Sequence, residues 1–295
     1  KQFLMEKKLQ KFRNKLRFLV GDVRDLQRLE FATKNVDILI HAAAMKHVLI
    51  AEYNPFEVVK TNVMGAQNVI DACLKNNVKK VIALSTDKAS SPANIYGASK
   101  LTSDKLFIAA NNYAGKNKNK FSVVRYGNVL GSKGSILPLF FKGAKNGLIT
   151  ITDKRMTRFN ITLKESVDLV IKVLKNMVGG EIFVPKIPSF KVMDLAKAIS
   201  SNSKIKFIGI KPGEKLHEEL ISVHESMNTI EYKKHFVITS TSEFFYWNKK
   251  NYIKKFKGKK CDINFSYNSD NNKEKLTINA LKKIVQQEIK KLNLK

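Results

Sequence analysis

Residues 81–100 hold two pairs able to do acid–base chemistry. Tyr96 and Lys100 stand four apart, the spacing that stacks two side chains on one face of a helix. An ammonium beside a phenol favours the phenolate, which makes a base of a tyrosine whose ordinary pKa is about 10. Asp87 and Lys88 form the second pair, directly after Ser85 and Thr86. A tyrosine and a lysine one turn apart are common in solvated helices, so the spacing alone is a weak signal. Its position strengthens it. Residues 81–84 read as a buried strand, and open α/β sheets bind ligands beyond the carboxyl ends of their strands.

Such side chains need a sheet to stand on. Residues 16–20, 36–40, 81–84, 121–125 and 180–184 read as strands. Helices are expected over 2–13, 24–31, 55–76, 96–112, 136–144, 163–177 and 191–200, with another opening at 212–218. In the helix at 55–76, Val63, Ala66, Val69, Ile70 and Cys73 fall on one face, and Asn62 stands beside that stripe. The small residues Ala42, Ala43 and Ala44 let something flat approach the backbone at a strand end. Glycines 127, 131 and 134 follow another strand without P-loop or G-x-G-x-x-G spacing. The alternation predicts an α/β fold with a Rossmann-like, doubly wound parallel sheet. After Gly134 the pattern changes to a smaller C-terminal α+β region, giving units of 1–134 and 135–295, with some later segments returning to the first. The first clear strand leads straight to Gly21-Asp22-Val23, so the expected first strand and glycine-rich turn are missing, as if the sequence began part-way into a domain.

The 295 residues suffice for a large α/β domain, and 43% hydrophobic content is ordinary for a soluble globular protein. No apolar run approaches the ~18 residues that span a bilayer, and no signal peptide is visible, so no membrane partner is expected. Cys73 and Cys261 lie far apart with no metal-ligand spacing, so no metal is expected and a reducing compartment is. The net charge of +29 first suggests nucleic acid. Only seven basic residues are arginine, however, and the lysines are scattered, which favours solvated faces over nucleic-acid binding.

Several motifs together resemble the extended short-chain dehydrogenase/reductases that act on nucleotide sugars. They are Gly-Asp-Val-Arg-Asp at 21–25, His-Ala-Ala-Ala at 41–44, Lys-Thr-Asn-Val-Met-Gly at 60–65, Ser-Thr-Asp-Lys-Ala at 85–89, Tyr-x-x-x-Lys at 96–100 and Arg-Tyr-Gly-Asn-Val at 125–129. Ser-Thr-Asp-Lys discriminates within them. With Ile-Thr-Asp-x-Arg-Met-Thr-Arg-Phe at 151–159, Glu-Ile-Phe-Val-Pro-Lys-Ile-Pro-Ser at 181–189 and Pro-Gly-Glu-Lys-Leu-His-Glu at 212–218, it resembles the inverting UDP-N-acetylglucosamine 4,6-dehydratases. The resemblance runs from residue 1 to about residue 272. Family members begin with a strand, a glycine-rich turn and a second strand whose basic end selects NADP, none of which precedes residue 16 here. Membrane-attached relatives carry methionine where this chain has Tyr96, which points to the short soluble branch.

The resemblance implies UDP-N-acetylglucosamine as substrate and NADP, less so NAD, as cofactor. It also implies a bacterial cytoplasmic homo-oligomer, hexameric in the family, and a place in pseudaminic acid synthesis and flagellin glycosylation. Tyr96 would be the base for the 4-hydroxyl, held by Lys100, with Thr86 on the same oxygen. Lys88 would remove the C5 proton as a neutral amine, and Asp87 would protonate the 6-hydroxyl as a neutral acid. Asp22 and Val23 would flank adenine, and Ala42, Ala43, Lys46, Asn62, Ser85 and Val129 would complete the cofactor path. Asn128 and Lys133 would meet the sugar and diphosphate, and Arg158 the diphosphate in bidentate fashion. Lys211, Glu214 and His217 would lie near the uridine, while His47 and His217 each have an equally good structural reading. Three alternatives stand beside this: a nucleotide-sugar epimerase or reductase, which needs no Asp87/Lys88 pair; a truncated inactive fragment kept for binding; and a nucleic-acid binder.

Overall fold

The computed structural model describes residues 2–115, 119–132, 134–240 and 249–292. Its first half holds Gln2–Lys8 (α1), Leu26–Ala32 (α2), Ile38–His41 (β1), Val48–Tyr53 (α3), Pro55–Val59 (α4), Gly65–Lys75 (α5), Lys80–Thr86 (β2), Ile95–Tyr113 (α6) and Lys120–Tyr126 (β3). Then come Asn128–Val129 (β4), Ile136–Lys145 (α7), Leu148–Ile151 (β5), Thr157–Ile161 (β6), Leu163–Asn176 (α8), Glu181–Pro185 (β7), Ser189–Lys191 (β8) and Val192–Ile199 (α9). Lys204–Phe207 (β9), Glu219–Ile221 (β10), Thr229–Glu231 (β11), His235–Thr239 (β12), Lys249–Phe256 (α10), Lys259–Lys260 (β13), Tyr267–Asn268 (β14) and Ile278–Leu292 (α11) complete it.

The main sheet has the order β1-β2-β3-β7-β12-β11-β13. β1, β2, β3 and β7 are parallel, the expected doubly wound arrangement. β12, β11 and β13 extend it in antiparallel fashion, so the chain past residue 180 does return to this sheet. A parallel sheet must be covered on both faces, and β2 shows why it can be: Val81, Ile82 and Ala83 have no exposure at all. One face packs on Ala66, Val69, Ile70 and Cys73 of α5, the stripe read from the sequence, with Phe107 of α6. The other packs on Val170 and Val173 of α8. A separate core joins Leu137 and Phe140 of α7 to Leu195 of α9 and Leu281 and Val285 of α11, beside the carboxyl ends of the strands.

Three expected elements are corrected. Residues 16–20 form no strand; among the described residues no strand pairs with them, their Leu19 and Val20 carbonyls accept from the side chains of Gln2 and Arg28 instead, and Leu19 and Val20 stand exposed. Apolar sequence becomes a strand only where ladder partners exist. The helix expected at 55–76 is broken by a π turn over Lys60–Met64. The helix expected to open at 212–218 is instead a turn with Gly213 at positive φ, leading to the bridge of His217 with Thr157 and then to β10 paired with β14.

His41 ends β1 inside the core at 4% exposure, its ring 5.5 Å from that of Phe107. Burial, with the charge of Lys100, lowers its pKa from 6.5 to about 4. The unfolded chain therefore takes up this proton at a higher pH than the native state. The stability from a neutral His41 is whole above about pH 6.5 and is lost as pH falls through about 4. Thermal melts across that window should fall more steeply for the wild type than for His41→Phe; parallel curves would refute the assignment.

Candidate active site

Local sequence builds the site at the carboxyl end of β2. The strand stops at Thr86, and residues 87–89 turn once as a 3₁₀ helix. Asn94 then caps α6, its side chain accepting the Gly97 N–H at 2.8 Å. That cap starts the helix at Ile95 and places Tyr96 in its first turn. Gly97 lies against the Lys88 carbonyl, and any β-carbon there would strike that oxygen. Glycine is what lets the Asp87–Lys88 turn stack on the helix carrying Tyr96 and Lys100.

The π turn at Lys60–Met64 serves the same place. Asn62, 1% exposed, accepts the Met45 N–H at 2.8 Å and donates to the Met45 carbonyl at 2.9 Å and to Ser99 Oγ at 2.9 Å. It thus ties the loop after β1 to the buried face of α6. A π turn at a functional site is a recurrent device.

Two adjoining cavities open here. One, of about 470 Å³, is lined by Ala42, Lys46, Thr86, Asp87, Tyr96 and Lys100 among others. The second, of about 550 Å³, is lined by Phe140, Met156, Arg158, Lys211, Glu214 and Glu218 among others. Lys88 and Asn128 line both, so they stand at the junction.

The charges at the junction are tightly arranged. Lys88 Nζ lies 3.1 Å from Asp87 Oδ1 and 3.1 Å from Glu218 Oε1. Burial raises the Asp87 pKa; Lys88 opposes this and Glu218 adds to it, so Asp87 holds its proton more firmly than an ordinary aspartate. Burial pulls Lys88 down, but the two carboxylates outweigh it and raise its pKa. Asp87 is thus shifted toward the acid form, while Lys88, expected as a neutral amine, rests here as an ammonium. Burial also pushes Tyr96 up to about 12, against the charge of Lys88 and a hydrogen bond with Thr86. Burial lowers Lys100, which is 3% exposed. The expected ready phenolate is corrected too: desolvation outweighs the cations in the site as it stands.

This is the geometry of an α/β enzyme acting at a strand end, and known proteins place it. Residues 1–240 match the model of the polysaccharide biosynthesis protein family. The chain belongs to that family. It is 54% identical over 263 residues to the inverting UDP-N-acetylglucosamine 4,6-dehydratase of Campylobacter jejuni, covering 87% of this chain and 78% of the relative. It is 45% identical over 213 residues to a UDP-glucose 4-epimerase of Rickettsia canadensis, covering 70% of this chain and 62% of that one. Among solved structures, Pen from Bacillus thuringiensis superposes with a TM-score of 0.86 at 38% identity, over 97% of this chain and 86% of the other.

Within this family member, the residues singled out in the sequence divide. Thr86, Asp87, Lys88, Tyr96, Lys100, Ser85, Ala42, Lys46, Asn128 and Val129 line the first cavity, and Arg158, Lys211 and Glu214 the second. His47 also lines the first cavity. Asp22 and Val23 are not among the residues lining either; Asp22 pairs with Arg24 at 2.8 Å on the surface. Ala43, which is exposed, and the buried Asn62 are likewise not among the lining residues. His217 is not among the residues lining either cavity; its Nδ1 lies 2.8 Å from Thr157 Oγ1. Arg158 is corrected from a free diphosphate clamp. Its Nη atoms donate to the carbonyls of Thr157, Leu216 and Lys215, bracing the 215–218 segment. Lys133 lies outside the described residues.

Sequence reasoning missed Glu218, Asp104 and Arg125. Glu218 closes the quoted 212–218 motif but had no partner in sequence to explain it. Asp104 lies one turn past Lys100, accepts from Ser85 Oγ at 2.8 Å and pairs with Arg125 at 3.2 Å, all three buried. The extra turn of the i, i+4 series was the available signal for Asp104.

Proposed function

We propose that this protein is a nucleotide-sugar dehydratase that converts UDP-N-acetylglucosamine to a UDP-linked 4-keto-6-deoxy-N-acetylhexosamine inverted at C5. One observation carries the reading. A buried Asp87, its pKa raised by burial, stands beside Lys88 and shares a cavity with Tyr96 and Lys100. An epimerase, the reading that the Rickettsia relative would favour, needs the tyrosine and lysine but has no use for a second acid–base set.

The residues of the first cavity suit the nicotinamide end of a dinucleotide: Ala42 and Ala44 would leave room for a flat ring against the backbone, and Tyr96 and Lys100 line the same cavity. When bound, it accepts a hydride from C4 and returns one to C6, so it is regenerated. NADP rather than NAD, the homo-oligomeric state, a cytoplasmic place and the pseudaminic acid pathway follow from the family resemblance and belong to this proposal. So does the division into a cofactor unit over 1–134 and a substrate unit over 135–295.

The chain's own residues do the proton chemistry. Tyr96 takes the proton of the 4-hydroxyl as a phenolate, its own proton having first left, a state that the Lys88 charge and the positive charge of an oxidised nicotinamide beside it would favour, and Lys100 holds the site for it. Thr86, hydrogen-bonded to Tyr96 and donating to Asp87 Oδ1 at 2.9 Å, connects the two acids. Once C4 is a ketone the C5 hydrogen is acidic. The Lys88–Glu218 cluster receives it while Asp87 gives its proton to the departing 6-hydroxyl. Asn128, whose buried Oδ1 has no partner among the described residues, suits a hydroxyl or amide donor of the sugar.

The test is direct. The protein, given NADP and UDP-N-acetylglucosamine, should release the 4-keto-6-deoxy sugar, seen by NMR as a new C6 methyl group. Tyr96→Phe should lower that turnover by about 10²–10⁴-fold. A product that keeps its 6-hydroxyl and is changed only at C4 would establish the epimerase instead.

A further inference from the structure

The mechanism above needs a base at C5, and the ammonium of Lys88 has no lone pair to offer. Glu218 does. Its side chain is 4% exposed, and its Oε1 is taken by Lys88 Nζ at 3.1 Å and Arg158 Nε at 3.5 Å. Its Oε2 is buried with no partner among the described residues. The residue lines the same cavity as Lys88 and Asn128. Its backbone is pinned from both sides: its N–H donates to Ser269 Oγ at 3.0 Å, and the Ser269 N–H donates to its carbonyl at 2.8 Å. A buried carboxylate oxygen without a donor is costly, and a native site that keeps one calls for an explanation.

We propose that Glu218 is the base that removes the C5 proton, with Lys88 the ammonium that holds it in place. This rests on the dehydratase reading. The step balances. The C5–H bond breaks and its proton goes to Glu218 Oε2. The electron pair forms the C5–C6 double bond, the C6–O6 bond breaks, and the proton of Asp87 joins O6 so that water leaves. The titratable groups facing Glu218 are Lys88, Arg158, Lys215 and Asp87. Burial pushes its carboxyl up, but Lys88 and Arg158 outweigh it and hold the pKa below the ordinary glutamate range. Two carboxylates with opposed shifts beside one ammonium divide into an acid, Asp87, and a base, Glu218.

The experiment follows deuterium from D₂O into C5 of the sugar, beside the absorbance of the reduced nicotinamide, for wild type, Glu218→Gln, Glu218→Asp and Lys88→Met. In Glu218→Gln the cofactor should still be reduced by the substrate, which also shows the variant is folded. Entry of deuterium should fall by about 100-fold or more. Glu218→Asp should recover part of the exchange, and Lys88→Met should retain exchange at a lower rate. In the wild type, exchange should be level through neutral pH and decline only on the acid side, as a carboxylate base requires. Exchange kept in Glu218→Gln and lost in Lys88→Met, with a wild-type rate climbing through alkaline pH, would make Lys88 the base and overturn the proposal. A wild type that reduces no cofactor and forms no dehydrated sugar would overturn the dehydratase reading and this assignment with it.

Discussion

Asp87→Asn is expected to stop the loss of water while leaving oxidation at C4 in place. The side chain is 1% exposed, and burial shifts its pKa upward, toward the protonated form that an acid needs. Its Oδ2 has no partner among the described residues and is the atom left to face a leaving group. Asparagine has the same shape, so the cavity and the neighbouring Thr86 and Lys88 stay where they are, but an amide cannot give up a proton at any working pH. Losing a general acid costs about 10²–10⁴ in rate. The check is a split measurement: a burst of reduced nicotinamide on mixing with the nucleotide sugar, with formation of the 6-deoxy product slowed by that factor. Turnover within a few-fold of the wild type would remove Asp87 from the acid's role. Loss of the burst as well would mean that the residue acts at C4.

The second large effect is on stability. Arg125, on β3, is wholly buried. Its Nη1 donates to both Glu225 oxygens at 2.9 and 3.0 Å and to the Leu220 carbonyl at 3.1 Å, while Nη2 meets Asp104 at 3.2 Å. Arg125→Leu fills much of the space yet leaves Asp104 and Glu225 facing each other's charge in the interior. Removing one partner of a buried ion cluster costs about 3–5 kcal/mol. Urea unfolding should show a loss of that order. The exposed pair of Arg24 with Asp22 at 2.8 Å is the control: there water screens both charges, and Arg24→Ala should leave the urea midpoint nearly unchanged. Equal losses at the two sites would refute the buried-cluster account. Because Asp104 also binds Ser85 at the site wall, Arg125→Leu should lower turnover in the surviving folded fraction as well.

The sequence by itself determined what is local. The apolar run of β2, the Asn94 cap, the glycine at 97 and the four-residue spacing of Tyr96 and Lys100 all act within twenty residues. Each is a backbone preference or a helical repeat, which neighbours in sequence suffice to set. The parallel order of the first strands was legible for the same reason, through the alternation of strand and helix. What only the tertiary structure decided is which charges meet. Glu218 reaches Lys88 across 130 residues and Arg125 reaches Glu225 across 100, and no periodicity reports such contacts. Those contacts also reversed the protonation first expected of Lys88, because a pKa is set by everything packed around a group and not by its place in a motif. The strand expected at 16–20 fell to the same limit, since a strand needs a partner. The stretch from β2 into α6 therefore presents the tyrosine, the aspartate and the lysine; the loop ending at Glu218 decides what the lysine is for.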